Sequence, residues 1–408
     1  MRKNTLAYLS LAPILWTTGC ALPANIAQRR PSENYSTFTE WCKNKERISP
    51  EARHTVEVLL GKAGTQDCGA AGERLTNLTE LFLDDNQIID VSPLSGLTNL
   101  TFLALGGNQI VDANPLSELT KLTILWLNGN QIADISPLSG LTNLTDLKLS
   151  GNQIIDINSL SKLTNLKFLW LDSNQIVDVN LTGLENLTSL ILHDNQIVNV
   201  TLSGLTNLPE LTLERNKIEN IDLSGLANLT DINLENNRIT DISFLSELKK
   251  LTRLRLNNNQ IVDISPLSGL TNLTDIELGN NQITKVDPLS KLENLTELNL
   301  GNNQLADISS LAGLMNLTDL WLNDNRIINI SFLSGLNNLT ELNLVNNRIV
   351  DISPLVELTS LTYLYLNENQ IADIRPLAKL ANLERLWASG NPLKNPTCPV
   401  QPKSICQF

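Results

Sequence analysis

Hydrophobic and polar positions recur along this chain with a period of about 22 residues. The turn from Leu122 to Asn143 reads LTILWLNGNQIADISPLSGLTN, and its frame is L-x-x-L-x-L-x-x-N-x-I-x-D-I-x-P-L-x-x-L-T-N. The ninth position holds asparagine in fifteen successive turns: Asn86, Asn108, Asn130, Asn152, Asn174, Asn195, Asn216, Asn237, Asn259, Asn281, Asn303, Asn325, Asn347, Asn369 and Asn391. The spacing is 22 residues, except for three gaps of 21 between Asn174 and Asn237. A short fixed period predicts a solenoid, in which each turn buries its apolar side against its neighbours.

Each turn predicts a short strand, a polar bend and an irregular return arm. Leu125 and Leu127 alternate with period two, so they point inward from a strand, and neighbouring strands stack into one parallel sheet. The asparagine at position nine can bond the backbone groups that the strand end leaves open, which predicts an internal ladder of asparagines. Pro137 excludes a continuous helix in the return arm, so we expect an extended arm or a short 3₁₀ turn.

This frame resembles the leucine-rich repeat, specifically its 22-residue bacterial internalin-like subclass. The resemblance covers residues from about 76 to 393, with leucine at position one and asparagine at position nine in all fifteen turns. It implies an α/β solenoid, a leucine-rich repeat horseshoe of about 15 turns with a parallel sheet on its concave side, and binding on that side. The three turns of 21 residues lack the proline, at 178–184, 199–205 and 220–226. We expect them to shorten the convex arm and to flatten the arc locally.

The start of the chain indicates export. Arg2 and Lys3 precede an apolar run that ends at Trp16 and is too short to span a bilayer, and Thr17-Thr18-Gly19-Cys20 follows. TTGC resembles a bacterial lipobox, so residues 1–20 are predicted as a signal peptide with lipidation at Cys20 and residues 21–35 as a tether in the cell envelope. The alternative is ordinary cleavage near Ala21 and release as a soluble secreted protein.

Two caps are predicted to close the ends of the repeats at 76–392. In residues 36–75, Ser49-Pro50-Glu51 is a strong helix start, and an apolar face follows at helical spacing: Ala52, Val56, Leu59 and Leu60. This predicts a helical N-terminal cap, which a solenoid needs because its first turn has no neighbour to cover its core. Residues 393–408 break the repeat and form the predicted C-terminal cap.

Four cysteines remain besides Cys20, and none lies inside the repeats. In an exported protein the two local pairs most simply form disulfides, Cys42 with Cys68 and Cys398 with Cys406, so that the second closes the C-terminal tail. A zinc site is the alternative, but the pairs are distant from each other and have no histidine nearby.

Composition excludes several functions. The net charge of −13 argues against nucleic acid as a partner. No nucleophile elbow, phosphate loop or paired metal-ligand motif occurs, so we predict no catalysis, cofactor or metal. The two histidines, His54 and His193, are expected to be ordinary solvated residues. The aspartates at position thirteen, such as Asp134, are expected to contact backbone or solvent as part of the repeat frame.

Positions three and five of each turn flank the inward leucine and define what we call the concave face. Nine of the eleven aromatic residues between Thr76 and Leu393 occupy these positions. They form a first group (Phe82, Phe102, Trp126, Phe168 and Trp170) and a second group (Trp321, Tyr363, Tyr365 and Trp387), with Arg253 and Arg255 in a charged middle. Aromatic residues suit strands in general, but that preference would scatter them along the sheet. We therefore predict the nine aromatic residues and two arginines as ligand-binding residues.

These observations predict an exported, non-catalytic recognition protein that binds a protein partner through the concave face. Two alternatives stay open. Trp126, Trp170, Trp321, Tyr365 and Trp387 could stack on sugar rings of a cell-wall or surface polysaccharide, or the chain could be a structural envelope protein. Any contact with the membrane is expected through the lipid anchor only.

Overall fold

The computed structural model describes residues 35–394 and 397–408. The signal peptide, the tether up to residue 34 and the lipidation site predicted at Cys20 lie outside these ranges. The unit from Ser36 to Phe408 contains the cap helices, the repeats and the C-terminal tail.

Three helices form the start of this unit, at Phe38–Lys43, Pro50–Ala63 and Cys68–Thr76. Each has a side-chain N-cap: Thr37 in a capping box with Glu40, Ser49 on the backbone N–H of Ala52, and Asp67 on that of Ala70. These caps satisfy amide groups that a helix start leaves open.

Fifteen short strands of the repeats and one of the C-terminal tail form one parallel sheet in the order of the chain. The strands are Glu80–Phe82, Phe102–Ala104, Ile124–Trp126, Asp146–Lys148, Phe168–Trp170, Ser189–Ile191, Glu210–Thr212, Asp231–Asn233, Arg253–Arg255, Asp275–Glu277, Glu297–Asn299, Asp319–Trp321, Glu341–Asn343, Tyr363–Tyr365, Arg385–Trp387 and Cys406–Gln407. The register pairs equivalent positions of successive turns, as in Leu125 with Leu147. The fold is therefore the predicted leucine-rich solenoid. No helix among the described residues is long and apolar enough to cross a membrane.

The core lies between this sheet and the return arms. Leu125 of the strand and Leu127 directly after it are fully buried, as are Ile132 and Leu138 from the opposite side of the same turn. Because every turn repeats these positions, the core is continuous from the first cap helices to the last strand.

The position-nine asparagines form the predicted ladder. In Asn130, Nδ2 donates to the carbonyl oxygens of Leu105 (2.9 Å) and Leu127 (3.0 Å), and Oδ1 accepts from the backbone N–H of Ile110 (2.9 Å). One buried side-chain amide thus satisfies three backbone groups in two turns. Without it these N–H and C=O groups would be buried unpaired, which is costly.

The return arms are mostly short 3₁₀ helices, as Pro137 predicted. They lie at Ser92–Leu94, Asn114–Leu116, Ser136–Gly140, Asn158–Lys162, Ser243–Leu245, Ser265–Gly269, Asp287–Leu289, Ser309–Gly313, Ser331–Gly335, Ser353–Leu355 and Arg375–Lys379, and a further one precedes the last strand at Lys403–Ile405. The position-thirteen aspartate begins the arm: Asp134 Oδ1 accepts from the backbone N–H of Ser136 at 2.8 Å. These aspartates contact backbone, as expected.

The three short turns depart from this pattern. Their arms are strands, Asp178–Asn180, Asn199–Thr201 and Asn220–Asp222, which pair into a second, three-stranded parallel sheet. An exposed side-chain ladder runs across it, from Asn220 Nδ2 to Asn199 Oδ1 (3.0 Å) and from Asn199 Nδ2 to Asp178 Oδ1 (2.7 Å). A shortened arm was expected, but the missing proline alone does not predict that three adjacent arms pair.

Both ends of the solenoid carry the disulfides that the cysteine pairing predicts. Cys42–Cys68 joins the first and third cap helices, and Cys398–Cys406 closes the tail. The second bond positions Cys406–Gln407, which pairs with Arg385–Trp387 as the last strand. The expectation for His54 was wrong: its Nε2 lies 2.7 Å from the carbonyl oxygen of Asn86, so it connects the second cap helix to the first repeat.

Candidate binding surface on the concave face

The strand geometry places all predicted site residues on one surface. In each three-residue strand of the long sheet the middle residue is buried and the flanking side chains lie on the other side of the sheet, as in Ile124–Trp126. All nine aromatic residues and both arginines that the sequence indicates lie at these flanking positions. Among the aromatic residues Phe82 and Phe168 are the most exposed, at 46% and 43%.

The first group contains a chain of edge-to-face ring contacts. The ring centroids of Phe82 and Phe102 lie 4.9 Å apart, and those of Phe102 and Trp126 are also 4.9 Å apart. Edge-to-face pairs are favourable because the positive edge of one ring meets the negative face of the other. These three side chains therefore form a fixed aromatic surface across three adjacent strands.

Lys148 lies between the two tryptophans of the first group. Its Nζ is 3.9 Å from the ring centroid of Trp126 and 4.1 Å from that of Trp170. Both contacts are cation–π interactions, which hold the ammonium group against the rings. The aromatic pattern in the sequence did not identify Lys148. The repeat does predict its place, because it occupies position five in the turn between those of Trp126 and Trp170.

Two tryptophans of the concave face donate their indole N–H to the following turn, and Trp170 does not. Trp126 Nε1 donates to Asp146 Oδ1 (3.1 Å) and Trp321 Nε1 to Glu341 Oε1 (3.2 Å), in each case a carboxylate at position three of the next turn. Trp170 has Ser189 at that position, and its Nε1 is buried without an acceptor among the described residues.

A concavity of about 710 Å³ lies along the first group. Positions five, seven and eight line it, including Asp84 and Asp85 from the first turn, Lys148 from the fourth, and Asp172 from the fifth. A Cβ atom on Gly106 would lie 2.9 Å from Asp84 Oδ1, so this carboxylate lies close over the backbone of the next turn. The concave-face pattern of positions three and five did not include these aspartates.

The charged middle is largely paired within the chain. Arg253 contacts Asp231 (3.2 Å) and Asp275 (3.1 Å), and Arg255 contacts Asp231 (3.4 Å) and Glu277 (3.7 Å). Burial, followed by the neighbouring charge of Glu277, raises the pKa of Asp275, and burial raises the pKa of Glu277. The two arginines thus neutralise carboxylates of adjacent strands.

A second paired cluster lies next to the concavity. Hydrogen bonding to Arg215, at 2.5 and 2.7 Å, lowers the pKa of Asp194 to about 2. His193 lines the concavity, and its Nδ1 lies 2.7 Å from Asp194 Oδ2. His193 is therefore half-buried and bonded to its neighbour, unlike the solvated residue that the sequence predicted.

The second aromatic group is less continuous. The rings of Tyr365 and Trp387 stack with centroids 4.4 Å apart and planes within 2° of parallel. Tyr363 donates its hydroxyl to Glu384 Oε2 at 3.0 Å. Trp321 lies two strands from Tyr365, with Asn343 between them in the same column.

Comparison with known proteins identifies the class. The sequence matches the family described as "Leucine Rich repeats (2 copies)" over 76–118, 98–140, 120–161, 142–184, 227–269, 271–313, 316–357 and 359–397, and "Leucine rich repeat" over 185–239. The chain belongs to the leucine-rich repeat family. Curated protein sequences give no match.

Solved structures narrow the class to internalin-like proteins. An internalin (inlF) of Listeria monocytogenes is 32% identical, with 86% of this chain and 92% of that one covered and a TM-score of 0.53. A leucine-rich repeat protein of Leptospira interrogans is 26% identical, with 81% and 93% covered and a TM-score of 0.67. The functional domain of InlJ from Listeria monocytogenes, which includes a cysteine ladder, is 25% identical, with 87% and 76% covered and a TM-score of 0.71. Proteins of this class are typically non-enzymatic and generally bind protein partners.

Proposed function

We propose that this protein is an exported recognition protein that binds a protein partner through its concave face, with the first aromatic group as the anchor. The observation that carries the proposal is a concavity lined by Trp126 and Trp170, with Phe102 in ring contact with Trp126 and Phe82 in ring contact with Phe102. Aromatic side chains bury much area at a low entropic cost, and they dominate binding energy at protein interfaces.

The ring contacts favour a protein partner over a carbohydrate. A sugar ring stacks on an open aromatic face, but Lys148 covers the facing sides of Trp126 and Trp170. Tyr365 and Trp387 cover each other's inner faces. Four of the five rings that could hold a polysaccharide are thus engaged on at least one face.

Export and a lipid anchor at Cys20 are part of the proposal, together with the division into tether, helical cap, repeats and C-terminal cap. Their support is the signal and lipobox pattern of residues 1–20. Replacing Cys20 with serine should release the protein from the detergent phase. An unmodified mature start at Leu22, found by mass spectrometry, would contradict lipidation.

The binding surface is tested by capture of a partner with the exported protein as bait. The double variant Trp126→Ala, Trp170→Ala should lose at least about 2 kcal/mol of binding, roughly thirtyfold in affinity. The matched control is Tyr365→Ala with Trp387→Ala, which removes two rings from the second group and should leave most of the affinity. Circular dichroism verifies that both variants are folded.

Two results would contradict the proposal. If the Trp126→Ala, Trp170→Ala variant kept full affinity for the partner, the first group would not be the anchor. Binding of a cell-wall polysaccharide that depends on Trp126 and Trp170 would instead support the carbohydrate alternative.

A further inference from the structure

We propose that the concavity beside the first aromatic group is the subsite for a basic segment of the partner, one that carries lysine or arginine side chains. This inference rests on the proposed function, because it names the chemistry of the partner at the same surface. Unpaired carboxylates, a lysine held by aromatic rings and the dimensions of the concavity carry it.

The carboxylates of the concavity have no cationic partner. Asp84 Oδ1 accepts from the backbone N–H of Gly106 at 2.8 Å, and Asp172 Oδ1 accepts from Ser150 Oγ at 2.5 Å. Among the described residues, no lysine, arginine or histidine nitrogen lies within 4.0 Å of a carboxylate oxygen of Asp84, Asp85 or Asp172. Each therefore keeps an uncompensated negative charge at the edge of an aromatic surface.

Lys148 does not neutralise these carboxylates. Its ammonium lies between two indole rings, at 3.9 and 4.1 Å from their centroids, and forms no ion pair among the described residues. Three carboxylates against one ammonium leave the lining with an excess of two negative charges, since His193 is bonded to Asp194. The local field therefore favours a cationic ligand and repels an acidic one.

Carboxylates elsewhere on the same face, in the charged middle, are paired with arginines. There Arg253 lies within 3.2 Å of both Asp231 and Asp275. Next to the concavity, Asp194 likewise has Arg215 at 2.5 Å. The chain thus supplies its own cations on neighbouring strands and leaves the carboxylates beside the aromatic group without them.

The dimensions fit a short peptide segment. Asp84 and Asp172 are four turns apart, about 19 Å at the spacing of adjacent strands, which an extended segment of about six residues spans. The rings of Phe82, Phe102 and Trp126 belong to the first three of these turns and can pack against the aliphatic stems of lysine or arginine. A segment with basic residues about five positions apart would reach carboxylates at both ends.

The test uses defined peptides as probes for the whole protein. The first probe is a blocked hexapeptide with arginine at both ends and phenylalanine in the middle, and matched probes carry glutamine or glutamate instead of arginine. At low salt, calorimetric titration should give the arginine peptide at least about tenfold higher affinity than the glutamine peptide. The triple variant Asp84→Asn, Asp85→Asn, Asp172→Asn should abolish this preference, while the asparagine Oδ1 atoms still accept from Gly106 and Ser150.

A matched control separates local contacts from net charge. The triple variant Glu297→Gln, Asp319→Asn, Glu341→Gln removes the same charge from strands far along the sheet and should keep the preference. Two results would overturn the inference. One is an equal loss of the arginine preference in both triple variants, and the other is tighter binding of the glutamate peptide than of the arginine peptide.

Failure of this inference is distinguishable from failure of the proposed function. If capture of the protein partner depends on Trp126 and Trp170 but not on Asp84, Asp85 and Asp172, the basic segment is refuted and the aromatic anchor remains. If capture does not depend on the two tryptophans, the proposed function itself fails.

Discussion

The buried indole N–H of Trp170 predicts a stabilising substitution. Equivalent tryptophans donate to Asp146 at 3.1 Å and to Glu341 at 3.2 Å, whereas Ser189 occupies the acceptor position for Trp170. Ser189→Asp should supply the missing acceptor with the geometry of the Trp126–Asp146 pair. A hydrogen bond to a charged group contributes about 1.5–3 kcal/mol, and a like-charge neighbour, Glu210 in the next strand, opposes it by about 0.2–1 kcal/mol.

The expected net gain is therefore about 1–2 kcal/mol in the free energy of unfolding, measured as a shift of the urea midpoint at unchanged slope. A double-mutant cycle isolates the bond, because Trp170→Phe removes the donor and keeps the ring. In that background Ser189→Asp should give no gain and lose a few tenths of a kcal/mol to Glu210. The reasoning is refuted if Ser189→Asp stabilises both backgrounds equally, or if Ser189→Ala gives the same gain.

Three further predictions concern the sheet and its caps. Burial and the charges of Asp275 and Asp319 raise the pKa of Glu297, so its ionised form destabilises the folded state. Glu297→Gln should therefore raise the free energy of unfolding at pH 7 by a few tenths of a kcal/mol, measured as a small rise in the melting temperature. The gain should vanish below about pH 4, where the carboxyl is protonated in both states. Asn152→Ala removes the partners of two carbonyl groups and one backbone N–H and should cost about 2–4 kcal/mol in urea unfolding; a neutral result would remove the ladder from the account of stability. The Cys42–Cys68 bond closes a loop of 26 residues, so replacing both cysteines with alanine should cost about 3 kcal/mol, and an unchanged urea midpoint would contradict that role.

The repeat made the sheet, the asparagine ladder and the return arms predictable from sequence. Each turn packs against turns of the same pattern, so the environment of Leu125 or Asn130 can be inferred from its neighbours in sequence. The two disulfides could be predicted because cysteines occur in local pairs outside the repeats. The sheet, the ladder and the return arms follow from backbone register and from buried positions, and both vary little between turns.

Side-chain contacts on the concave face were less predictable. The positions of Phe82, Phe102 and Trp126 in their turns predicted that they lie on the concave face. The location of Lys148 between two indoles depends instead on side-chain rotamers. The bond of His54 to the first repeat depends on how the cap helix docks, which has no counterpart in the periodic pattern. The carboxylates of Asp84 and Asp172 lie beyond the strand, where the alternation that identifies exposed positions no longer applies.

The two kinds of return arm predict opposite effects of the same substitution. Ser159 occupies the position that holds proline in the three preceding turns (Pro93, Pro115 and Pro137). Among the described residues its hydroxyl is buried without a partner and its backbone N–H donates no hydrogen bond. Ser159→Pro should therefore stabilise the protein by about 0.5–1.5 kcal/mol, because it removes an unsatisfied hydroxyl and restricts the unfolded chain. Thr201 lies in the middle strand of the second sheet, where a neighbouring strand occupies each side, so Thr201→Pro should cost about 3 kcal/mol or more. Thermal unfolding of the two variants tests both signs, and a stable Thr201→Pro protein would show that the three short arms do not form a sheet that contributes to stability.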